Sequence, residues 1–201
     1  MIQATALARR LDQLPPSMRK VILGVSGGQD STHAVNVAVF ATDLLGLPRT
    51  NVIGITMPGL GTTDRTKNNA LRLMQALGVT VLEIPITPVA LEIFRSIDHD
   101  PKLENLTFEN VQAWSRKFIE LSIACKEEGI VLGAGDLSEL MLGWTTMFGD
   151  HASHYGINAG VPKTLISYLI KWTSDVIYKD QSEVRQILED ILSTPISPEI
   201  L

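Results

Sequence analysis

Short apolar runs alternate with longer segments in which apolar residues recur every three or four positions. The apolar runs predict strands over 20–25, 51–57, 79–84 and 130–133. The helical period predicts helices over 1–13, 31–45, 64–77, 88–97, 108–128, 162–177 and 181–192, with another starting at Asp136 or Ser138 and a loop over 147–161. Strands that alternate with helices form a parallel sheet covered on both faces. Because such sheets bind ligands beyond the carboxyl ends of their strands, we expect the loops after these strands to carry the site.

Composition narrows the class of protein. The 201 residues are 45% hydrophobic and 19% charged, which is typical of one globular domain with a real core. The net charge of −5 and the absence of any Lys/Arg cluster longer than two argue against a nucleic-acid partner. No apolar run is long enough for a membrane span. The single cysteine, Cys125, excludes an internal disulfide, is expected to be buried in an apolar helix, and fits a reducing, cytoplasmic setting.

The loop after the first predicted strand has the composition of an anion site. Ser26-Gly27-Gly28-Gln29-Asp30-Ser31 joins that strand to a helix. Glycines let the backbone approach a ligand closely, and the free N–H groups of the first helical turn attract phosphate. A carboxylate would repel phosphate, so Asp30 makes sense if Mg²⁺ lies between them. The alternative is that Asp30 or Ser31 only caps the helix.

Four further stretches carry polar groups. A glycine-rich loop after Met57 leads into a helix capped by Thr63 or Asp64, and Thr107 can cap the helix that holds Asn110 in its first turn. Asp136 and Glu139 lie three positions apart at a helix start, so one can cap while the other stays available as a metal ligand. The segment 149–163 contains His151 and His154, but their spacing fits no standard zinc site.

Five motifs resemble one family over about Val21 to Pro198: SGGQDST, MPGLGTTDRTKNNALRLMQALG, FENVQA, GDLSELMLGW and NAGVPKTL. The chain resembles the synthetase domain of NAD⁺ synthetases, more specifically the glutamine-dependent kind. These enzymes belong to the ATP-pyrophosphatase superfamily, which shares the SGGxDS loop. The resemblance implies a Rossmann-like parallel sheet of the adenine nucleotide alpha hydrolase type. It also implies a reaction in which the nicotinate carboxylate of deamido-NAD⁺ is adenylylated by ATP and ammonia displaces AMP.

The same resemblance implies roles for individual residues. Asp30 and Lys163 would be catalytic, and Asp30 and Glu139 would hold Mg²⁺. The residues implied for ATP are Gly24, Val25, Ser26, Gly27, Gly28, Gln29, Asp30, Ser31, Ala134 and Lys163. Those implied for deamido-NAD⁺ are Asn110, Glu139, Trp144, Thr145, Thr146 and Met147. Trp144 would stack on the nicotinate ring, although a core position is the alternative, and the loop 58–64 would be a lid.

Two departures from the family pattern concern affinity. Trp114 stands where many members have an arginine that contacts the dinucleotide, and Ala134 replaces the usual threonine. Residues 1–201 are expected to form a single synthetase domain excised from a longer protein. No counterpart of the N-terminal glutaminase or of the C-terminal tail is recognisable. Ammonia would then be supplied from outside this chain, and the family's interfacial site implies a homodimer.

Two alternatives stay open. The chain could be another ATP-pyrophosphatase, for example one that adenylylates tRNA, although a basic face and paired cysteines would then be expected. It could also be a truncated domain that binds ATP without turnover.

Overall fold

The protein is a parallel five-stranded α/β structure, described here from a computed structural model that covers residues 1–194. Residues 195–201, which include Pro198 at the end of the family resemblance, lie outside the described part. The strands are β1 (Val21–Gly24), β2 (Val52–Thr56), β3 (Thr80–Glu83), β4 (Ile130–Gly133) and β5 (Tyr155–Gly156). Their order in the sheet is β3-β2-β1-β4-β5, and every pairing is parallel. The predicted fold class is confirmed.

Eight α-helices connect and cover the strands in the described residues. They are α1 (Ile2–Asp12), α2 (Gln29–Leu44), α3 (Asp64–Leu77), α4 (Thr87–Ser96), α5 (Leu106–Lys126), α6 (Leu137–Leu142), α7 (Lys163–Trp172) and α8 (Ser182–Ser193). Helix α7 continues into a π-helical turn, Thr173–Ile177. Consequently, the single helix predicted over 162–177 changes its hydrogen-bonding pattern in its last third.

Alternate strand residues enter two separate apolar cores, because successive side chains of a strand point to opposite faces. Val21 and Leu23 join the larger core, with side chains from α1, α2, α3, α7 and α8. Ile22 joins the second core, together with Ala124 of α5. Helix α4 packs in turn on α5, where the rings of Phe94 and Phe108 stack with centroids 5.9 Å apart. The sheet is therefore covered on both faces, as predicted.

The central strand β1 separates from β4 before it separates from β2. Its pairing with β4 ends at Ile22↔Val131, whereas its pairing with β2 continues to Gly24↔Ile55. From β1 the chain continues to β2 and β3 on one side of the sheet, and β4 and β5 lie on the other side of β1. The gap between the ends of β1 and β4 is therefore the point where the strand order reverses. Open α/β sheets bind ligands in the crevice at such a point.

Three expectations from the sequence are wrong. The predicted loop 147–161 contains β5, a two-residue strand too short to show a period. Helix α5 is capped by Asn105, whose side chain accepts hydrogen bonds from the N–H groups of Thr107 and Phe108, so Thr107 is not the cap. Cys125 is exposed. Its neighbour Ala124 faces the core, and one step along a helix turns the next side chain away by about 100°.

Within residues 1–194, no helix is both long and apolar enough to cross a membrane.

The buried imidazole of His33 links α2 to α1. Its Nε2 lies 2.9 Å from Oε1 of Gln3. Burial, and secondarily the positive charge of the amino terminus, lowers the pKa of His33 from 6.5 to about 4. Between these two values the unfolded chain binds a proton that the folded chain does not.

We therefore expect the free energy of unfolding to fall as the pH is lowered from 6.5 to about 4. The contribution of His33 should be about 3 kcal/mol. Urea unfolding of the wild type and of His33→Gln at several pH values measures it, because the variant lacks this part of the acid sensitivity. Stability curves that stay parallel through the window would contradict the prediction.

Candidate active site

The loop between β1 and α2 folds tightly against itself. The N–H of Ser26 donates to Oγ of Ser31 at 3.2 Å, and the N–H of Gly28 donates to Oγ of Ser26 at 3.2 Å. Oγ of Ser31 in turn donates to the carbonyl of Gly28 at 3.2 Å. Gly28 occupies the cap position of α2, so the alternative that Asp30 or Ser31 caps this helix is wrong. The first N–H groups of α2 are left to face a ligand.

The Asp30 side chain instead meets a lysine from the far end of the chain. Nζ of Lys163, at the start of α7, is hydrogen-bonded to Oδ2 of Asp30. The same ammonium lies 3.4 Å from Oε1 of Glu139 and 3.5 Å from Oδ2 of Asp136. One oxygen from each of the three acids lies within 4.8 Å of the others. The fold thus brings three carboxylates and one ammonium together at the crevice.

Asp136 is a member of this cluster that the sequence did not assign. Its Oδ1 accepts a hydrogen bond from the N–H of Glu139 at 2.9 Å, and Oε2 of Glu139 accepts one from the N–H of Asp136 at 3.2 Å. The two acids therefore cap α6 reciprocally, and each has a second oxygen left. Oδ2 of Asp136 is fully buried and has no hydrogen-bond partner in the structure. The spacing predicts that one acid caps and the other stays available, whereas each acid caps with one oxygen and keeps the other.

Burial and charge act in opposite directions on these groups. Burial raises the pKa of Asp30 and of Glu139 above their ordinary values, although Lys163 partly offsets the effect on both. Burial lowers the pKa of Lys163, but its hydrogen bond to Asp30 and the charges of the three acids more than compensate, so the net shift is upward. Lys163 consequently stays protonated at neutral pH.

A cavity of about 520 Å³ opens above the cluster. Most of the residues implied by the family resemblance line it: Gly24, Ser26, Gly27, Gly28, Gln29, Asp30, Ser31, Ala134, Glu139, Trp144, Thr146 and Lys163. Val25 lines a neighbouring cavity of about 120 Å³ at the ends of β1 and β2, together with Met57 and Arg116. The loop motifs predicted separately therefore converge on one region.

Three predicted residues do not line either cavity. Oδ1 of Asn110 accepts a hydrogen bond from Oγ1 of Thr146 at 2.8 Å, so it holds a lining residue from behind. Met147 accepts one through its carbonyl from Nε1 of Trp114 at 2.7 Å. Thr145 lies in the same segment, between two residues that do line the large cavity.

Neither tryptophan is a core residue. Trp144 is 69% exposed and Trp114 is 42% exposed. The alternative that Trp144 belongs to the core is therefore wrong. Trp114 lies on α5, whereas Trp144 follows α6 and lines the large cavity.

The glycine-rich loop 58–63 is fastened to α5. Its Leu60 N–H donates to Oε1 of the fully buried Gln112 at 2.9 Å, and its Gly59 N–H donates to Oγ1 of Thr62 at 2.9 Å. Thr63 caps α3, which confirms one of the two predicted caps. Gln112 belongs to the FENVQA motif, but the sequence implied no role for it, because its contact joins two distant segments.

A buried ion pair below the phosphate loop was also missed. Lys117 and Glu120, both on α5, form a short ion pair, line the large cavity and are almost fully buried. Burial raises the pKa of Glu120. A Cβ added to Gly24 would lie 2.3 Å from Oε1 of Glu120, so a larger residue at this position in β1 would have to displace the buried Glu120 side chain. Charged residues on a helix are usually exposed, and the sequence alone therefore suggests a solvated face.

His151 and His154 do not belong to the cluster of metal-binding geometry found among the described residues. Nδ1 of His154 accepts a hydrogen bond from the N–H of Val131 at 2.9 Å. Among the residues that the structure describes, the group with metal-binding geometry is Asp30, Asp136 and Glu139.

A match to a family model now defines the class of protein. The model for NAD synthase matches residues 7–182. The chain therefore belongs to the NAD synthase family.

Individual relatives agree with this assignment. The chain is 47% identical to the glutamine-dependent NAD⁺ synthetase of Mycobacterium tuberculosis H37Rv over 207 aligned positions. That alignment covers 100% of this chain and 30% of the relative, so the chain spans about a third of the length of the relative it matches.

Solved structures show the same fold. The glutamine-dependent NAD⁺ synthetase of Acinetobacter baumannii, in complex with ADP, superposes with a TM-score of 0.80 at 25% identity, covering 98% of this chain and 35% of that one. The NH₃-dependent NAD synthetase of Campylobacter jejuni, at 18% identity, superposes with a TM-score of 0.74 and covers 98% of this chain and 95% of that one.

The phosphate loop supplies a test of the site's geometry. Gly27 has φ of +86°, and an added Cβ would lie 2.1 Å from the carbonyl oxygen of Thr66 in α3. Gly27→Ala must therefore displace the loop from α3. We expect it to weaken ATP binding by at least about tenfold, as measured by isothermal titration calorimetry.

Gly46→Ala is the matched control. Gly46 has φ of +64° but open space around it, so the variant carries the backbone strain without the collision. It should lose about 1 kcal/mol of stability and bind ATP normally. Equal ATP affinity in the two variants would show that the loop's position against α3 is unimportant.

Proposed function

We propose that this chain is the synthetase module of an NAD⁺ synthetase, and that it converts deamido-NAD⁺, ATP and ammonia to NAD⁺, AMP and pyrophosphate. The observation that carries the proposal is the convergence of the phosphate loop, Lys163 and the three acids on one cavity, in a chain of the NAD synthase family.

ATP would bind with its phosphates over the loop 26–31. The amide groups at the start of α2 suit phosphate oxygens, and Lys163 is placed to contact them once its bond to Asp30 is exchanged. The ADP bound by the A. baumannii relative supports an adenine nucleotide as the ligand. Val25 and Arg116 line the small cavity next to this loop, which we assign to a part of the same nucleotide.

The residues present fit a Mg²⁺ ion. Oδ1 of Asp30 and Oδ2 of Asp136 are buried and have no hydrogen-bond partner in the structure, and carboxylate oxygens are the ligands that Mg²⁺ prefers. We propose that Asp30 and Glu139 hold the ion and that Asp136 supports it. When bound, Mg²⁺ would neutralise charge on the phosphates.

The reaction requires two bond exchanges. A carboxylate oxygen of the nicotinate ring attacks the α-phosphorus while the bond to pyrophosphate breaks. Ammonia then attacks the carboxyl carbon, AMP leaves with the oxygen that joined it, and a proton is released. Lys163 would reduce the repulsion between the two anions in the first step and stabilise the departing pyrophosphate. The loop 58–64 would act as a lid that keeps water from the acyl-adenylate.

Deamido-NAD⁺ would lie along α5 and the segment 144–147. Thr146 and Trp144 face the large cavity, and Asn110 orients Thr146. Leu106, Trp114 and Phe118 recur at helical spacing on α5 and are exposed, with Phe118 at 68%. An exposed apolar stripe of this kind favours contact with a second copy of the chain, and Asn110 shares its spacing. We therefore propose a homodimer whose interface adjoins the substrate site. A cytoplasmic setting remains a prediction from composition.

Turnover tests the proposal directly. The purified chain is incubated with ATP, Mg²⁺, deamido-NAD⁺ and ammonium, and the products are measured. NAD⁺, AMP and pyrophosphate should form in equal amounts. ATP binding without any of these products would favour the truncated, non-catalytic alternative.

Asp30→Asn should reduce turnover by more than about 100-fold, a loss of about 3 kcal/mol of transition-state stabilisation. The amide keeps the shape of the side chain but loses the charge that a metal ion requires. Asp43→Asn is the matched control on the same helix, because Asp43 pairs with Arg49 at the surface, away from the cavity. Comparable activity of a folded Asp30→Asn variant would refute the role of Asp30.

Glutamine should not replace ammonium as the nitrogen donor for this chain. A glutaminase needs its own nucleophile, and the one cysteine of the 201 residues is exposed on α5. The assay is run with glutamine while free ammonia is scavenged, and no NAD⁺ is expected. Formation of NAD⁺ from glutamine, with loss of that activity in Cys125→Ser, would contradict the prediction and identify Cys125 as the nucleophile.

A further inference from the structure

A fully buried asparagine bridges the two sides of the crevice. Nδ2 of Asn158, in the loop after β5, donates to the backbone carbonyl of Asp30 at 3.1 Å and to that of Ala134 at 2.9 Å. One carbonyl belongs to the phosphate loop and the other to the end of β4. The two N–H bonds of a single amide group thus join segments whose strands have already separated.

The orientation of this amide is set from α1. Nε2 of Gln3 donates to the carbonyl of Ile157 at 2.7 Å and to Oδ1 of Asn158 at 3.4 Å. Oε1 of Gln3 accepts from Nε2 of His33 at 2.9 Å. The amide groups of Gln3 and Asn158 each accept a hydrogen bond on the oxygen and donate one through the nitrogen. The hydrogen-bond directions are therefore consistent from His33 to Asp30.

The bridge joins the two backbone segments that carry members of the acidic cluster. Asp30 lies on the β1 side of the crevice, in the phosphate loop. Asp136 lies on the β4 side, two residues after Ala134. Beyond Ile22↔Val131 no β1–β4 ladder pairing holds these two sides together. A metal site tolerates little variation in the separation of its ligands, and groups that only orient ligands contribute strongly to affinity.

We propose that Asn158 is a positioning residue that sets the distance of Asp30 from Asp136 and Glu139, with Gln3 holding its amide in orientation. The inference rests on the metal site proposed above. Asn158 touches neither the ion nor the reacting atoms in this account; it acts through the backbone of the residues that do.

The experiment measures Mn²⁺ binding by electron paramagnetic resonance, with Mn²⁺ alone as the probe, and the melting temperature of each protein. Asn158→Leu keeps the branched shape of the side chain but loses both donors. Asn36→Leu is the matched control, because Asn36 is equally buried on α2 but donates only to the carbonyl of Thr32 within its own helix. Both variants lose a buried amide group. If the role of Asn158 is merely structural, the two variants should therefore change Mn²⁺ affinity and melting temperature to a similar extent.

Asn158→Leu should weaken Mn²⁺ binding by about 10- to 100-fold, as outer-shell substitutions typically do. Asn36→Leu should leave it unchanged within about twofold even where its melting temperature falls. If Asn158→Leu does not fold, Gln3→Leu decides the question, because Gln3 is half-buried on α1 and should weaken Mn²⁺ binding in the same direction.

Two failures can be distinguished. Wild-type Mn²⁺ affinity in folded Asn158→Leu, while Asp30→Asn loses it, would overturn the positioning role and leave the metal site intact. No Mn²⁺ binding by the wild-type protein would overturn both the metal site and the inference that rests on it.

Discussion

The single ammonium group of Lys163 faces three carboxylates, and the rest of the site depends on this imbalance of charge. Formal charges of three acids and one lysine leave an excess of two negative charges in a largely buried cluster. Buried charge is costly unless it is paired. A divalent cation would remove the excess and free Lys163 for the phosphates. The same imbalance therefore accounts for an acid in a phosphate loop and for the buried oxygens of Asp30 and Asp136 that lack a hydrogen-bond partner.

Helix α5 connects this cluster to the rest of the molecule. Its inner face packs on the sheet through Ala124, and its buried Glu120 lies against Gly24 at the end of β1. Gln112 fastens the loop 58–63, while Trp114 and Phe118 are exposed on the outer side. One element thus touches the β1 end of the crevice, the proposed lid and the proposed dimer face. A second copy of the chain bound at that face would contact the helix that shapes the site.

The sequence predicted whatever depends on local pattern. The four longer strands, the helices and the phosphate loop follow from hydrophobic period, glycine spacing and the position of the loop after β1. What it could not predict depends on contacts between distant segments. Asn158 opens the NAGVPKTL motif, but the sequence gives it no role until the fold brings it to Asp30 and Ala134. Glu120 is expected to be solvated until α5 packs below β1. The spacing of Asp136 and Glu139 predicts one cap and one metal ligand, but a carboxylate has two oxygens, so Asp136 caps with one and contributes the other to the cluster.

The most direct measurement is a crystal structure of the chain with Mn²⁺ and an ATP analogue whose α- and β-phosphorus atoms are joined by a methylene group. The anomalous signal locates the ion independently of the protein's shape. The account predicts Mn²⁺ bound directly by carboxylate oxygens of Asp30 and Glu139, phosphates over residues 26–31, and Lys163 turned from Asp30 to a phosphate oxygen. An ion bound elsewhere, with Lys163 still on Asp30 and the phosphates away from the loop, would contradict it.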